Sequence, residues 1–314
     1  AHLDTYAGFV FATWADDAPT LDEFLGDMRW FMDMMFNRRE GGVELIGPDK
    51  WIIPTNWKNP IDNFSGDNYH VAVTHRSAVL ARSRALGREP PDPSATFKAP
   101  GAGISTGNGH GVAVRILDPI DPRNTPAIVR HPALQDYEAS IKPEVERRLG
   151  YYRANVISPI VCSVFPGMSF LFPSVNGTVR MWHPRSPQYS EIWAFVALDK
   201  GMPDDIKKTF RIQSMQNFAA SGMLEQDDMD NWRSCTLSGK SVVARKVPQN
   251  LTMGLGHQVT HETMPGELVL NNIQEETQRN VYDWWQKMMN AESWKDLPIA
   301  KQTAKYEGTA TFKG

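Results

Sequence analysis

The spacing of apolar residues changes period several times along the chain, and each change marks an element. Tyr6 to Trp14 reads as a strand. After the turn at Asp16 to Thr20, the residues Leu21, Phe24, Leu25, Met28, Phe31 and Met32 recur at helical spacing until Gly41-Gly42. Trp51-Ile52-Ile53-Pro54 is a further strand signal, and the pattern then predicts one helix from about Ile61 to Arg84. Residues 85–109 read as a long loop, with Pro90, Pro91 and Pro93 followed by Gly101, Gly103, Gly107 and Gly109. A loop of that length is a candidate lid. A helix over about Pro132 to Tyr152 precedes four strand signals, at Asn155 to Phe165, Ser169 to Phe172, Thr178 to His183 and Glu191 to Leu198. Turn residues separate them in the manner of an antiparallel meander. Helix returns at Asp204 to Gln216, with an extension toward Ser234, and again at Glu275 to Met289, where Val281, Trp284, Trp285 and Met288 share a face. Strands grouped between helices predict the α+β class with an antiparallel sheet.

Composition narrows the function classes. Of 314 residues, 41% are hydrophobic and 22% charged, enough apolar material for a sizeable core. The net charge is −3 with both signs interspersed, so neither a nucleic-acid surface nor a polybasic membrane patch is indicated. No stretch has the length of a membrane span, and the first residues lack the signal-peptide charge pattern; a reducing cytoplasm is the expected location. Two cysteines, Cys162 and Cys235, are too few for a disulfide scaffold or for an iron–sulfur cluster held within this chain. Cys162 lies in an apolar run and is expected to be a buried free thiol.

The densest polar chemistry is Asn63-Phe64-Ser65-Gly66-Asp67-Asn68-Tyr69-His70, followed by His75. Two imidazoles and one carboxylate on one side of a metal, with the other positions open, suit ferrous iron that must bind dioxygen. On a regular helix two residues five apart diverge by roughly 140°. Both histidines therefore reach one ion only where the helix is wide or irregular. Asp67, three residues before His70, falls on the same helical face, in position to accept a ring N–H. The third ligand has to come from elsewhere, and the acidic run Glu225-Gln226-Asp227-Asp228-Met229-Asp230 offers it. Residue physics does not choose between Asp227, Asp228 and Asp230. His183 reads as a strand-end residue, and His2, His110, His131, His257 and His261 as structural or solvent-facing. No Gly-x-Ser-x-Gly elbow or His-Glu-x-x-His motif is present, and Gly107 to Gly111 lacks the setting of a nucleotide fingerprint.

Asn56-Trp57-Lys58, Asn63-Phe64, Asp67, Tyr69-His70 and His75 together resemble the catalytic domain of Rieske-type aromatic-ring-hydroxylating dioxygenases, large (α) subunit. Phe218-Ala219-Ala220-Ser221-Gly222 through Asp227-Asp228 to Asn231-Trp232 resembles the same family, as do Val179 to Pro184 and Glu191-Ile192-Trp193. The resemblance implies a helix-grip (START-like) fold with an antiparallel sheet flanked by helices. It implies His70, His75 and Asp228 as ligands of a mononuclear Fe(II), and Asp67 as the bridge to a partner's cluster. It also implies a pocket lined by Asn63, Phe64, Val71, Val161, Leu171, Ser174, Phe218 and Leu224. These are mostly apolar and suit a flat aromatic hydrocarbon, though Arg180 keeps an aromatic acid open.

The family's Rieske [2Fe–2S] cluster needs a Cys-x-His and a Cys-x-x-His pair, and this sequence has neither. The expectation is that residues 1–40 follow an N-terminal Rieske domain absent from this chain, and that residues 41–314 form the catalytic iron domain. The expected reaction adds both atoms of O2 to an aromatic ring to give a cis-dihydrodiol. Electrons come from NAD(P)H through ferredoxin and reductase proteins, in a homotrimer of α subunits or an α3β3 assembly. Monooxygenation or demethylation on the same iron is one alternative; a non-catalytic helix-grip domain that binds hydrophobic ligands is another.

Overall fold

The computed structural model describes residues 1–85, 87–117, 131–174 and 176–310. After a hairpin of β1 (His2–Tyr6) and β2 (Phe9–Thr13), short helices α1 (Leu21–Leu25) and α2 (Met28–Phe36) lead to the long strand β3 (Val43–Ile53). Helices α3 (Lys58–Gly66), α4 (Val71–Thr74), α5 (Arg76–Ala85) and α6 (Ser94–Lys98) precede strands β4 (Gly101–Gly107) and β5 (His110–Ile116). Helices α7 (Pro132–Leu149) and α8 (Tyr151–Asn155) precede the meander β6 (Ile157–Val164), β7 (Met168–Leu171), β8 (Thr178–Ser186) and β9 (Tyr189–Asp199). Then come α9 (Asp204–Phe218), α10 (Met223–Ser238), β10 (Glu267–Val269) and α11 (Glu276–Asn290). Eight strands form one antiparallel sheet in the order β10-β4-β5-β6-β7-β8-β9-β3. The fold is α+β, as the pattern predicts.

Successive side chains on a strand point to opposite faces, so a sheet covered on both sides has two cores. Val112, Val114, Cys162, Phe170 and Val179 join Phe31, Met32 and Met35 of α2 in the first core. Their neighbours Ala113, Val161, Leu171 and Trp182 join Ile61 and Phe64 of α3, Val281 and Trp284 of α11, and Phe218 in the second. Cys162 is a buried free thiol. Residues of the 1–40 segment share the first core: Tyr6 donates to Asp33 Oδ1 on α2 at 2.7 Å, and α2 is packed into the sheet. Among the described residues no helix is long and apolar enough to cross a membrane.

Three expectations are corrected. The single helix over Ile61 to Arg84 is three helices, broken at Asp67 to His70 and again at His75. The helix running on from Asp204 is broken at Gly222, where a Cβ would sit 2.5 Å from the Asn217 carbonyl. The long loop 85–109, of which Leu86 lies outside the described residues, holds helix α6 and the buried strand β4. Its glycines misled because they serve close packing rather than turning. A Cβ on Gly101 would run into Asn272, and one on Gly103 into the amide of Gln274. With β4 inside the sheet, residues 101–107 cannot act as a lid.

Gly103→Ala should therefore destabilise the protein by about 1–3 kcal/mol, as overpacking does. Urea unfolding measures this, and a variant as stable as the parent would refute the close approach of Gln274.

Candidate metal centre

The break between α3 and α4 assembles the polar cluster. Gly66 ends α3 with φ +156°, a backbone conformation that L side chains rarely adopt, and a Cβ there would lie 2.5 Å from Thr277 Oγ1. Asp67 follows with ψ 87°, out of the helical region. His70 and His75 then bracket the single turn α4 as its N-cap and C-cap residues. They are released from regular helical spacing on either side, and their rings approach to 5.1 Å between centroids. Asp67 is not on a shared helical face with His70, as a continuous helix would place it. It sits at the break, where its Oδ1 accepts the His70 backbone N–H at 3.2 Å.

Helix α10 brings Asp228 to the same place. Its Oδ1 is 3.5 Å from His70 Nε2 and 3.3 Å from His75 Nε2, and a set of three such donor atoms lies within 4.8 Å of one another. His75 and Asp228 are buried and His70 is half-buried. Metal bonds of about 2.1 Å at right angles put neighbouring ligand atoms about 3 Å apart, so the spacing suits three ligands on one side of an ion. The far side of each ring is held. His70 Nδ1 donates to the Asp67 carbonyl at 2.5 Å, and His75 Nδ1 donates to Asp227 Oδ2 at 3.2 Å. A proton on each Nδ1 leaves each Nε2 lone pair aimed at the common point. The donor set therefore fits a divalent metal.

Electrostatics point the same way. Burial works against a charge on His70, but the Asp67 and Asp228 carboxylates outweigh it and raise its pKa to about 10. Burial also works against the Asp228 charge, and the His70 and His75 rings facing it nevertheless lower its pKa to about 2. Carboxylates that favour a cationic imidazole favour a metal cation in the same space.

The acidic run divides by direction. Neighbouring helical residues point about 100° apart, so Asp228 faces both histidines while Asp227 reaches behind His75. Asp230 is exposed, with Arg233 at 3.9 Å. Two further contacts have no clear sequence signal. Asn231 donates to Thr74 Oγ1 at 2.8 Å, tying α10 to α4. Arg180 and Glu225, both fully buried, meet at 2.5 Å. Burial raises the Glu225 pKa to about 7 against the pull of Arg180.

Of the pocket residues expected from sequence, Phe64, Val161, Leu171 and Phe218 share the second core, and Leu224 packs against it. Asn63 donates to Asp67 Oδ2 at 3.3 Å and belongs to the polar side. Val71 adjoins His70 on α4 outside that cluster. The Ser174 hydroxyl donates to the Pro159 carbonyl at 2.5 Å. His110 is structural: Nδ1 accepts from Phe165 N–H, Nε2 donates to the Phe24 carbonyl, and burial lowers its pKa to about 4. A groove of about 890 Å3 lined by Asp27, Thr106, Gln258 and Lys301 contains none of the three clustered residues.

A two-histidine, one-carboxylate cluster under a helix-covered antiparallel sheet describes a candidate mononuclear metal domain. The chain belongs to the family described as ring hydroxylating alpha subunit (catalytic domain), whose model matches residues 21–291. It is 36% identical over 309 residues to a benzene 1,2-dioxygenase subunit alpha of Pseudomonas putida, covering 96% of this chain and 66% of that protein. It is 35% identical over 319 residues to a biphenyl 2,3-dioxygenase subunit alpha of Rhodococcus jostii (strain RHA1), covering 99% and 67%. Among solved structures, a naphthalene 1,2-dioxygenase with indole bound in its active site superposes with a TM-score of 0.80 at 28% identity, covering 94% of this chain and 66% of that one. The chain thus spans about two thirds of the length of these relatives. Ferrous iron is the metal expected of the family.

Asp227→Asn should weaken metal binding about 10- to 100-fold with the fold retained, the usual effect of losing a ligand's hydrogen-bond partner; competitive titration with a metal chelator measures it. Metal must also displace the proton that Asp67 and Asp228 favour on His70. With that pKa raised to about 10, the metal-free ring is protonated at neutral pH. Affinity should therefore rise with pH up to about 10, with proton release on binding. Affinity that stays flat between about pH 6 and pH 9 would contradict this.

Proposed function

We propose that this chain is the iron-bearing catalytic part of an aromatic-ring dioxygenase α subunit, which adds both atoms of O2 to an aromatic hydrocarbon ring to give a cis-dihydrodiol. The observation that carries the reading is the pair of Nε2 atoms facing Asp228 while Asp67 and Asp227 hold the opposite ring nitrogens. His70, His75 and Asp228 would hold the metal. Ferrous iron held there would supply the activation of dioxygen. The chain's own residues do the rest. Phe64, Val161, Leu171, Phe218 and Leu224 bind the flat ring and exclude water, with Val71, Asn63 and Ser174 at the edge. Asn63 and Asp67 fix the orientation of His70.

Asp67 has a second task in this reading. Its half-buried carboxylate is the link between His70 and a Rieske [2Fe–2S] centre carried by a neighbouring subunit. That centre, ferredoxin and reductase donors, and a homotrimeric or α3β3 assembly belong to the whole protein. On this reading residues 41–314 are the iron domain and residues 1–40 the segment joining it to a Rieske domain.

The test uses the complete α subunit with its electron donors, an aromatic hydrocarbon and labelled dioxygen. Two labelled atoms on the product ring are expected. One labelled atom would favour monooxygenation, and a folded protein without iron, indifferent to His70→Ala, would favour a binding domain. Asp67→Asn should keep its iron and lose substrate oxidation; normal product formation by the metal-loaded variant would refute the role of Asp67.

A further inference from the structure

Arg180 and Glu225 form an ion pair that contacts the candidate pocket wall and takes no part in holding the metal. Arg180 lies on β8 and Glu225 in the first turn of α10, and both side chains are fully buried. Nη1 of Arg180 is 2.5 Å from Glu225 Oε2, and among the described residues this is the one carboxylate paired with the guanidinium. The guanidinium also meets rings and backbone. Its central carbon lies 5.1 Å from the Phe64 ring, 5.5 Å from Phe218 and 5.8 Å from Trp182, and Nη2 donates to the Phe218 carbonyl at 3.1 Å. Phe64 and Phe218 belong to the apolar cluster that takes the aromatic ring in the proposed function. A permanent cation thus stands directly behind that wall.

A guanidinium in such a place is a carboxylate receptor by shape, because its planar fork of N–H groups matches two carboxylate oxygens. Glu225 occupies it from inside the fold. We propose that Glu225 is a specificity-determining residue: by pairing with Arg180 it closes a site that would otherwise take an aromatic carboxylate, and so keeps the pocket selective for uncharged rings. This inference rests on the aromatic-ring reading above. An incoming aromatic acid would have to bury its charge against Phe64, Phe218 and Trp182 with the nearby cation already neutralised, and an unpaired buried carboxylate is strongly disfavoured. Without the Glu225 carboxylate, the ligand itself supplies the missing counter-charge. A merely structural tie between β8 and α10 predicts something else: lower stability when either partner is changed, with no change in the class of ligand accepted.

Binding of toluene and of benzoate to the full chain, by calorimetry and thermal shift, separates the two. The parent should bind benzoate at least about 100-fold more weakly than toluene. Glu225→Gln and Glu225→Ala should each gain at least about tenfold in benzoate affinity, and benzoate should raise their melting temperature but not that of the parent. The double variant Arg180→Met/Glu225→Met should bind toluene as the parent does and still refuse benzoate, since apolar replacement of a buried pair is commonly tolerated. Benzoate binding by the parent on a par with toluene would overturn the proposal, as would Glu225→Ala rescued by formate but not by benzoate. If the Glu225 variants do not fold, Arg180→Met decides. With the cation gone it has no counter-charge to offer and should still refuse benzoate; a gain of at least about tenfold in benzoate affinity in Arg180→Met overturns the inference. Failure of the aromatic-ring reading is distinct, because the parent would then bind no toluene.

Discussion

Charge that cannot leave the interior is the constraint around which this half of the molecule is built. Glu225 and Asp228 lie on one face of α10, both buried against the apolar wall of the sheet. The effective penalty for burying an ionised carboxylate without partners is several kcal/mol. Each of these meets a partner: Glu225 the Arg180 guanidinium, Asp228 the rings of His70 and His75. The helix has little freedom to slide or rotate, since either motion would strand a carboxylate. Gly222 permits its abrupt start, and Asn231 fastens it to α4.

The opposing side solves a different problem. A helix break exposes backbone groups that a continuous helix would satisfy, and here those groups become the support of the site. Asp67 N–H still reaches the Asn63 carbonyl at 3.0 Å, while the freed Asp67 carbonyl takes the proton of His70 Nδ1 and its Oδ1 takes the His70 backbone N–H. One residue thereby closes α3, opens α4 and sets the tautomer of an imidazole. The break and the ring orientation are a single structural event, so a smoother helix through residues 61–84 would remove both at once.

Sequence periodicity made the kinds of element legible and left the interruptions obscure. The meander from β6 to β9 and the apolar face of α11 follow from period alone. The break at Gly66 does not, because its cause, the close approach of Thr277, lies more than two hundred residues away in the chain. Gly101 and Gly103 carry the same lesson in reverse: read locally they are turn residues, yet they sit in a buried strand because Asn272 and Gln274 cross over them. The acidic run around Asp228 was visible as a site of interest, but the division of labour between Asp227 and Asp228 depends on which way α10 faces, and that is set by packing on α3 and the sheet. In the sequence Arg180 kept an aromatic acid open as substrate; its burial against Glu225 shows that its charge is already matched.

The two faces of the sheet then carry unequal burdens. The first core, rich in methionine and aliphatic side chains under α2, contains none of the clustered polar residues. The second contains the aromatic wall, and its members Val161 and Leu171 are direct partners across β6 and β7. Strands paired on both sides hold side chains to narrow positions, whereas helix caps such as His70 and His75 can adjust by small rotations. On the proposed function this places ring shape under the control of the rigid strands and metal geometry under the control of the broken helix. Substitutions on the wall should then alter which ring is accepted without disturbing the cluster of His70, His75 and Asp228. The buried pair of Arg180 and Glu225 spans both, with one partner on a strand of the wall and the other one helical turn from Asp228.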